Sequence, residues 1–187
     1  MTWLVVGLGN PGTTYTSTRH NVGYLVTDVL AARMGGRFKA HPSKRADIVE
    51  GRLAGERAVL GRSRSFMNDS GGAVSTLATY YSVEPENLVV VHDEIDLDFG
   101  QLRVKHGGGD NGHNGLKSLR QSLGTGEFLR VRVGVGRPSH GDVHDHVLKV
   151  FSSAERKQLA DLVEEAADAV ESLLSQGLSA TQQAFNR

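Results

Sequence analysis

The 187-residue chain contains no cysteine. That excludes disulfide bridges, a thiolate nucleophile and cysteine-ligated zinc, and it suits a cytoplasmic protein. The first residues lack a basic stretch followed by an apolar one, so no signal peptide is expected. No apolar run approaches membrane-spanning length, and no membrane partner is expected. Net charge is absent too, with 21 Lys and Arg balancing 21 Asp and Glu. The balance fails locally. Residues 33–66 hold nine basic side chains against three acidic, residues 99–137 seven against two, and residues 138–187 four against eight. Two basic tracts and an acidic tail fit either a local polyanion-binding face or an ordinary solvated surface. What is present is ordinary for a globular protein, 39% hydrophobic and 22% charged residues, in a length that suits one domain over residues 1–187.

The first two dozen residues organise the rest. Trp3 to Leu8 form an unbroken apolar run, as expected of a strand buried on both faces in a parallel sheet. The chain then turns through Gly9-Asn10-Pro11-Gly12, where Pro11 forbids a further ladder bond. Gly7-Leu8-Gly9-Asn10-Pro11-Gly12 satisfies G-x-G-x-x-G, the dinucleotide fingerprint, but that motif needs a helix opening at its last glycines. The hydroxyl-rich run Thr13–Thr18 follows instead, reading as loop, and helical spacing begins only at Val22. No nucleotide cofactor is expected, nor any other.

Further along, a helix is expected near 21–34 and a short strand at 37–39. A hairpin of residues 47–53 and 57–61 is expected to turn at Gly55-Glu56. Ser70 reads as the N-cap of a helix bearing Val74, Leu77 and Tyr81. Leu88–Val91 reads as a second buried strand delivering His92-Asp93-Glu94 at its C-terminal end, and 101–105 as an edge or half-buried strand. The glycine-rich run 105–115 is a loop at a helix N-terminus, a natural anion site, and that short helix carries Leu116, Leu119 and Leu123. Residues 129–136 alternate, with Leu129, Val131, Val133 and Val135 on one face and Arg130 and Arg132 on the other. Ser152-x-x-Glu155 is a capping box opening a last helix that ends near Gly177. The fold class is therefore α/β, a single three-layer domain with a mixed, mostly parallel sheet flanked by helices.

Asn10, with His20 beyond it, and Asp93 end two buried strands. If those strands are neighbours, His20 and Asp93 meet at the C-terminal edge of the sheet, and the carboxylate fixes the tautomer and raises the basicity of the imidazole. With no G-x-S-x-G elbow and no cysteine, water activated by His20 is the economical nucleophile. Asn10, Asn21, Asn68, Asn111 and Asn114 recur beside these positions; amides can bind ester or peptide groups without adding charge, although each alone also suits a turn. The rival reading is metal chemistry at His140, His144 and His146 with Asp142 and Asp145. That cluster lies in a segment read as loop and matches no ligand spacing we can name, so a solvated His-rich loop competes with it.

Taken together, these stretches resemble the bacterial peptidyl-tRNA hydrolase family over nearly the whole chain. The motifs are Gly7–Gly12 with Tyr15, Thr18–Gly23, Phe66-Met67-Asn68-x-Ser70-Gly71, His92-Asp93-Glu94-x-Asp96-Leu97, Lys105-x-Gly-Gly-Gly109 with Gly112–Leu116, and Arg130–Pro138. The resemblance implies hydrolysis of the ester joining a peptide to the tRNA 3′ end. It implies His20 as catalytic base, Asp93 as its support, and Asn10, Asn68 and Asn114 as substrate-positioning amides, with Asn10 tied to telling blocked from free α-amino groups. Tyr15 and Phe66 match contacts to the acceptor end, Met67 and His113 lie in the substrate-binding motifs, and Lys105 and Arg132 match the residues that hold the tRNA 5′-phosphate. It further implies one domain, usually monomeric, with no metal and no obligate protein partner. Departures from the pattern are Asp110-Asn111 in the glycine loop, Ser63 where many relatives have proline, and His146 where tyrosine is common.

Overall fold

Leu4, Val5 and Val6 are all buried because β1 (Thr2–Gly7) has strands on both edges and helices over both faces. The computed structural model describes residues 1–186. Its sheet also contains β2 (Lys39–Ala40), β3 (Ala46–Leu53), β4 (Glu56–Ser63), β5 (Leu88–Glu94), β6 (Leu102–His106) and β7 (Leu129–Gly134), in the order β2-β3-β4-β1-β5-β7-β6. The centre, β4-β1-β5-β7, is parallel, and the pairings outside it are antiparallel. Successive side chains of a strand face opposite ways. Val5, Val89 and Val91 therefore meet Val26 and Leu30 of α1 (Val22–Arg33) and Ala166 and Val170 of α5 (Ser153–Gln176). Leu4, Val6 and Val90 meet Val74 and Leu77 of α2 (Ser70–Tyr80) and Leu116 and Leu119 of α3 (Asn114–Leu123). The expected three layers and mixed sheet are present. Among the described residues, no helix is long and apolar enough to cross a membrane.

One close approach sets the position of the site. A Cβ on Gly23 would lie 2.5 Å from the Val91 oxygen and 2.7 Å from the Leu8 oxygen, and one on Gly7 2.4 Å from the Gly23 oxygen. The first turn of α1 thus rests on the ends of β1 and β5 with no side chain between, which brings residues 19–21 down onto the C-terminal edge of the sheet.

Several local expectations are corrected. The hairpin turns at Ala54-Gly55, both with positive φ, and Glu56 already pairs with Leu53; that is the backbone a two-residue loop requires. Ser70 is inside α2 rather than its cap, because a 3₁₀ turn at Met67–Asp69 precedes the helix and the Ser70 hydroxyl donates to the Met67 oxygen. The short strand lies at Lys39–Ala40, not 37–39. Residues 143–147, expected as loop, form α4 (Val143–Val147), and the side chain of Asp142 accepts the His144 N–H at its start. A last helix, α6 (Leu178–Phe185), was not expected at all. The capping box holds as expected: Glu155 N–H donates to Ser152 Oγ at 3.1 Å, and Ser152 N–H donates to Glu155 Oε1 at 2.8 Å.

Candidate active site

β1 and β5 are neighbours, with Gly7 opposite Val91, so the turn after β1 lies beside the end of β5. His20 sits in a 3₁₀ turn, Arg19–Asn21, and its Nδ1 is 2.7 Å from Asp93 Oδ2. A second imidazole reaches the same carboxylate, with His113 Nε2 2.8 Å from Oδ1. The tautomers follow. His113 Nδ1 accepts the N–H groups of Gly115 and Leu116 as the N-cap of α3, so its proton is on Nε2 and is donated to Asp93. His20 donates from Nδ1 to the ionised carboxylate, which leaves the lone pair of His20 on Nε2. Burial disfavours the Asp93 carboxylate, but the two imidazoles outweigh it and hold its pKa well below the usual range. Burial likewise lowers the His20 pKa, and the charge and hydrogen bond of Asp93 overcome this to raise it. His92 lies beneath, donating from Nδ1 to the Asp93 carbonyl at 2.8 Å; burial, with His113 beside it, pushes its pKa down to about 3.

His20, Asp93 and His113 open into a pocket completed by Asn111, Asn114, His144 and Val147. The α4 wall is tied to the turn carrying His20. Arg19 donates to the His146 oxygen at 3.2 Å and to Glu155 Oε1 at 2.7 Å, and Thr18 forms a β-bridge with Val150. His144 therefore belongs to this pocket, and Asp142 caps its helix. Among the described residues the one group with metal-ligand geometry is His20, Asp93 and His113 themselves. Their facing atoms are bonded to one another at 2.7 and 2.8 Å, and His113 Nε2 carries a proton, so an ion would have to break both bonds.

Asn10 lies to one side, facing a groove shared with Asn21 and Tyr24. Its N–H donates to Asn21 Oδ1 and its oxygen accepts from Asn21 Nδ2, both at 2.8 Å, while its Oδ1 accepts the Met67 N–H at 2.7 Å. The carboxamide orientation is thereby fixed, leaving Nδ2 as a donor. Met67 acts here through its main chain; its side chain is buried against α3, with the sulfur 2.6 Å from where a Gly115 Cβ would stand. Phe66, 57% exposed, meets Tyr15 edge to face at 6.1 Å between centroids. Asn68 and Asn114 are exposed at the starts of their helical turns.

The third group is cationic. Lys105 pairs across the sheet with Arg130, and Arg103 with Arg132. Arg130 is 1% exposed and donates to the carbonyls of Gly108, Gly109 and Gly126, so it is engaged in holding the glycine loop. Lys105 and Arg132 remain partly accessible, and burial together with Arg132 and Arg130 lowers the Lys105 pKa.

Sequence reasoning did not find the second imidazole on Asp93, the reciprocal pairing of Asn21 with Asn10, or the Arg19 tie. Only the first had a readable sign, a histidine in the N-cap position before Asn114-Gly115-Leu116.

Comparisons with known proteins bear on this arrangement. The profile of the Peptidyl-tRNA hydrolase family matches residues 4–187. The peptidyl-tRNA hydrolase of Rhodococcus erythropolis is 60% identical over 182 residues, covering 97% of this chain and 96% of its own. That of Mycolicibacterium smegmatis is 54% identical over 180 residues, covering 96% and 94%. The crystal structure of the enzyme from Acinetobacter baumannii superposes with a TM-score of 0.89 at 35% identity, covering 99% of this chain and 93% of that one. On this agreement of profile, sequence and fold, the chain belongs to the peptidyl-tRNA hydrolase family, enzymes that cleave the ester joining a peptide to tRNA.

Proposed function

We propose that His20 is the general base of this hydrolysis and Asp93 the group that orients it. The observation that carries the reading is the His20–Asp93 bond at 2.7 Å, with the free Nε2 of His20 beside a pocket. Nε2 removes a proton from water as the oxygen attacks the ester carbonyl, and Asp93 stabilises the imidazolium that forms. The same proton is then delivered to the departing 3′ oxygen of the ribose, giving a free peptide carboxyl group and a free tRNA 3′ hydroxyl. His113 holds the far oxygen of Asp93, so the carboxylate cannot rotate away. Asn10 offers Nδ2 to a peptide carbonyl, with Met67 fixing it through the main chain, and Asn68 and Asn114 position the rest of the peptidyl end. Tyr15 and Phe66 present ring faces to the bases of the acceptor end, where stacking is worth roughly 1–3 kcal/mol per base. Lys105 and Arg132 take the 5′-phosphate. The enzyme works as one domain in the cytoplasm, without a cofactor or an obligate protein partner.

Positioned acid–base help contributes about 10²–10⁴-fold, and the water has no other activator in this scheme. His20→Ala is expected to lose nearly all turnover of peptidyl-tRNA while retaining affinity for tRNA. A His20→Ala protein with near-wild-type kcat would overturn the assignment.

A further inference from the structure

Two acidic residues end β5 side by side, and the reaction above uses only Asp93. Glu94 is 6% exposed. Strand alternation turns it to the face opposite Asp93, the face that carries Arg132, since His92 is the register partner of Arg132 on β7. There Glu94 Oε1 lies 3.0 Å from both Nε and Nη2 of Arg132. Its Oε2 accepts the Asp96 N–H at 3.3 Å and the Asn111 amide at 3.4 Å. One carboxylate is thus held from β7, from the turn after β5 and from the glycine loop. A guanidinium has five donors in a rigid plane, and Glu94 occupies its Nε–Nη2 edge. Nη1 makes no bond to the protein among the described residues, and neither does the Lys105 ammonium, which lies close to Gly108 and Arg130.

We propose that Glu94 is a positioning residue for phosphate recognition, fixing one edge of the Arg132 guanidinium so that its free edge and Lys105 together receive the 5′-phosphate of the tRNA. The inference rests on the reading of Lys105 and Arg132 given above. Adjacent carboxylates on one strand then divide the work, Asp93 orienting the imidazole that reacts and Glu94 the guanidinium that anchors. An opposing effect exists: a carboxylate near an anion repels it, so deleting its charge would tighten phosphate binding if orientation counted for less. Orientation dominates here because an arginine side chain free to sample its rotamers must lose that freedom on binding, whereas Glu94 has already removed it in the folded protein.

The experiment compares KM for a peptidyl-tRNA bearing the 5′-phosphate with KM for the same tRNA lacking it, on the same preparation, so that a general loss of folded protein cancels. Wild type is expected to favour the phosphorylated form several-fold. Glu94→Gln keeps the shape of the side chain but removes its charge, and its NH2 group would face the Asp96 N–H and the Asn111 amide that Oε2 now accepts. The carbonyl oxygen left to accept from Arg132 is neutral and no longer held from all three sides, so the ratio should fall towards one. Adding Arg132→Ala should change it no further. A ratio in Glu94→Gln equal to that of wild type would overturn the proposal, and a larger ratio would do so too, by showing that Glu94 only competes with the phosphate. Should Glu94→Gln fail to fold, Glu94→Asp, which withdraws the charge by one carbon, is expected to lower the ratio, and an unchanged ratio there would count against the idea equally. A ratio abolished by Arg132→Ala but not by the Glu94 variants defeats this inference alone. A wild-type ratio of one defeats the phosphate reading of Lys105 and Arg132, and this inference with it.

Discussion

Asp93 sits between two imidazoles that it treats differently, and the difference is set by what each imidazole does with its other nitrogen. His113 spends Nδ1 on the N–H groups that open α3, so it is fixed as a donor to Asp93. His20 has no such obligation and keeps a basic nitrogen for the reaction. Because the raised pKa of His20 comes from the charge and hydrogen bond of Asp93 overcoming burial, it predicts a pH profile. The base form is required, so kcat/KM should fall as pH drops through a value above the ordinary 6.5. In Asp93→Asn the charge, the larger of the two raising causes, is lost while burial remains, so the acid limb should move to lower pH as the rate falls by about 10²–10⁴-fold. An acid limb that stays in place in Asp93→Asn would show that it does not report His20. At this scale the sequence was informative wherever a side chain ended a buried run, as Asn10 and Asp93 do. It was silent on what Asn21 and Glu94 bind, because their partners lie on other segments, brought within reach for Asn21 by the approach of α1 to the strand ends and for Glu94 by the register of β5 with β7.

Among the elements, the contact of α1 with the strand ends matters most, because it carries His20 to Asp93. The approach is backbone against backbone, so no rotamer change can relieve an added methyl group at Gly23. Gly23→Ala is expected to push the start of α1 off β1 and β5, costing about 1–3 kcal/mol as overpacking does. A displacement near 1 Å at His20 should lower kcat by roughly 10²-fold, since catalytic geometry is that sensitive. Thermal unfolding together with kcat checks this, and wild-type values for both would contradict it. The elements read correctly from sequence were those with a repeating burial pattern: β1 and β5 apolar throughout because both faces are covered, β7 alternating, α3 and α5 with helical spacing. Those misread or missed depend on contacts that carry no period. α6 is held partly by Asn186, whose amide bonds both the N–H and the carbonyl of Val104 on the edge strand β6. α4 is one short turn rich in His and Asp, a composition that reads as loop until Arg19 is seen to fix its end.

Across the whole molecule, zero net charge conceals a separation that the fold makes useful, because β6 and β7 put residues of the second basic tract side by side at one edge of the sheet. Sequence alternation left Arg130 and Arg132 on the same face, and burial distinguishes them: Arg130 is closed in by three carbonyls of its own chain, while Arg132 keeps an accessible edge. A phosphate far from the ester is bound equally in ground and transition states, and such uniform binding alters KM rather than kcat. Lys105→Ala is therefore expected to raise KM several-fold with kcat near wild type, in line with roughly 1.5–3 kcal/mol for a charge-assisted contact. The same variant should flatten the dependence of affinity on salt. Each phosphate neutralised releases condensed counterions, and the slope of log K against log salt changes by about 0.7–0.9 per contact. Titrating tRNA affinity against salt for wild type and Lys105→Ala should show a slope shallower by about that amount in the variant. Arg130→Ala should behave otherwise, lowering thermal stability by releasing three loop carbonyls, with no specific effect on the slope. If Lys105→Ala leaves the slope unchanged and Arg130→Ala flattens it, the anion site belongs on Arg130, and the glycine loop must open to expose it.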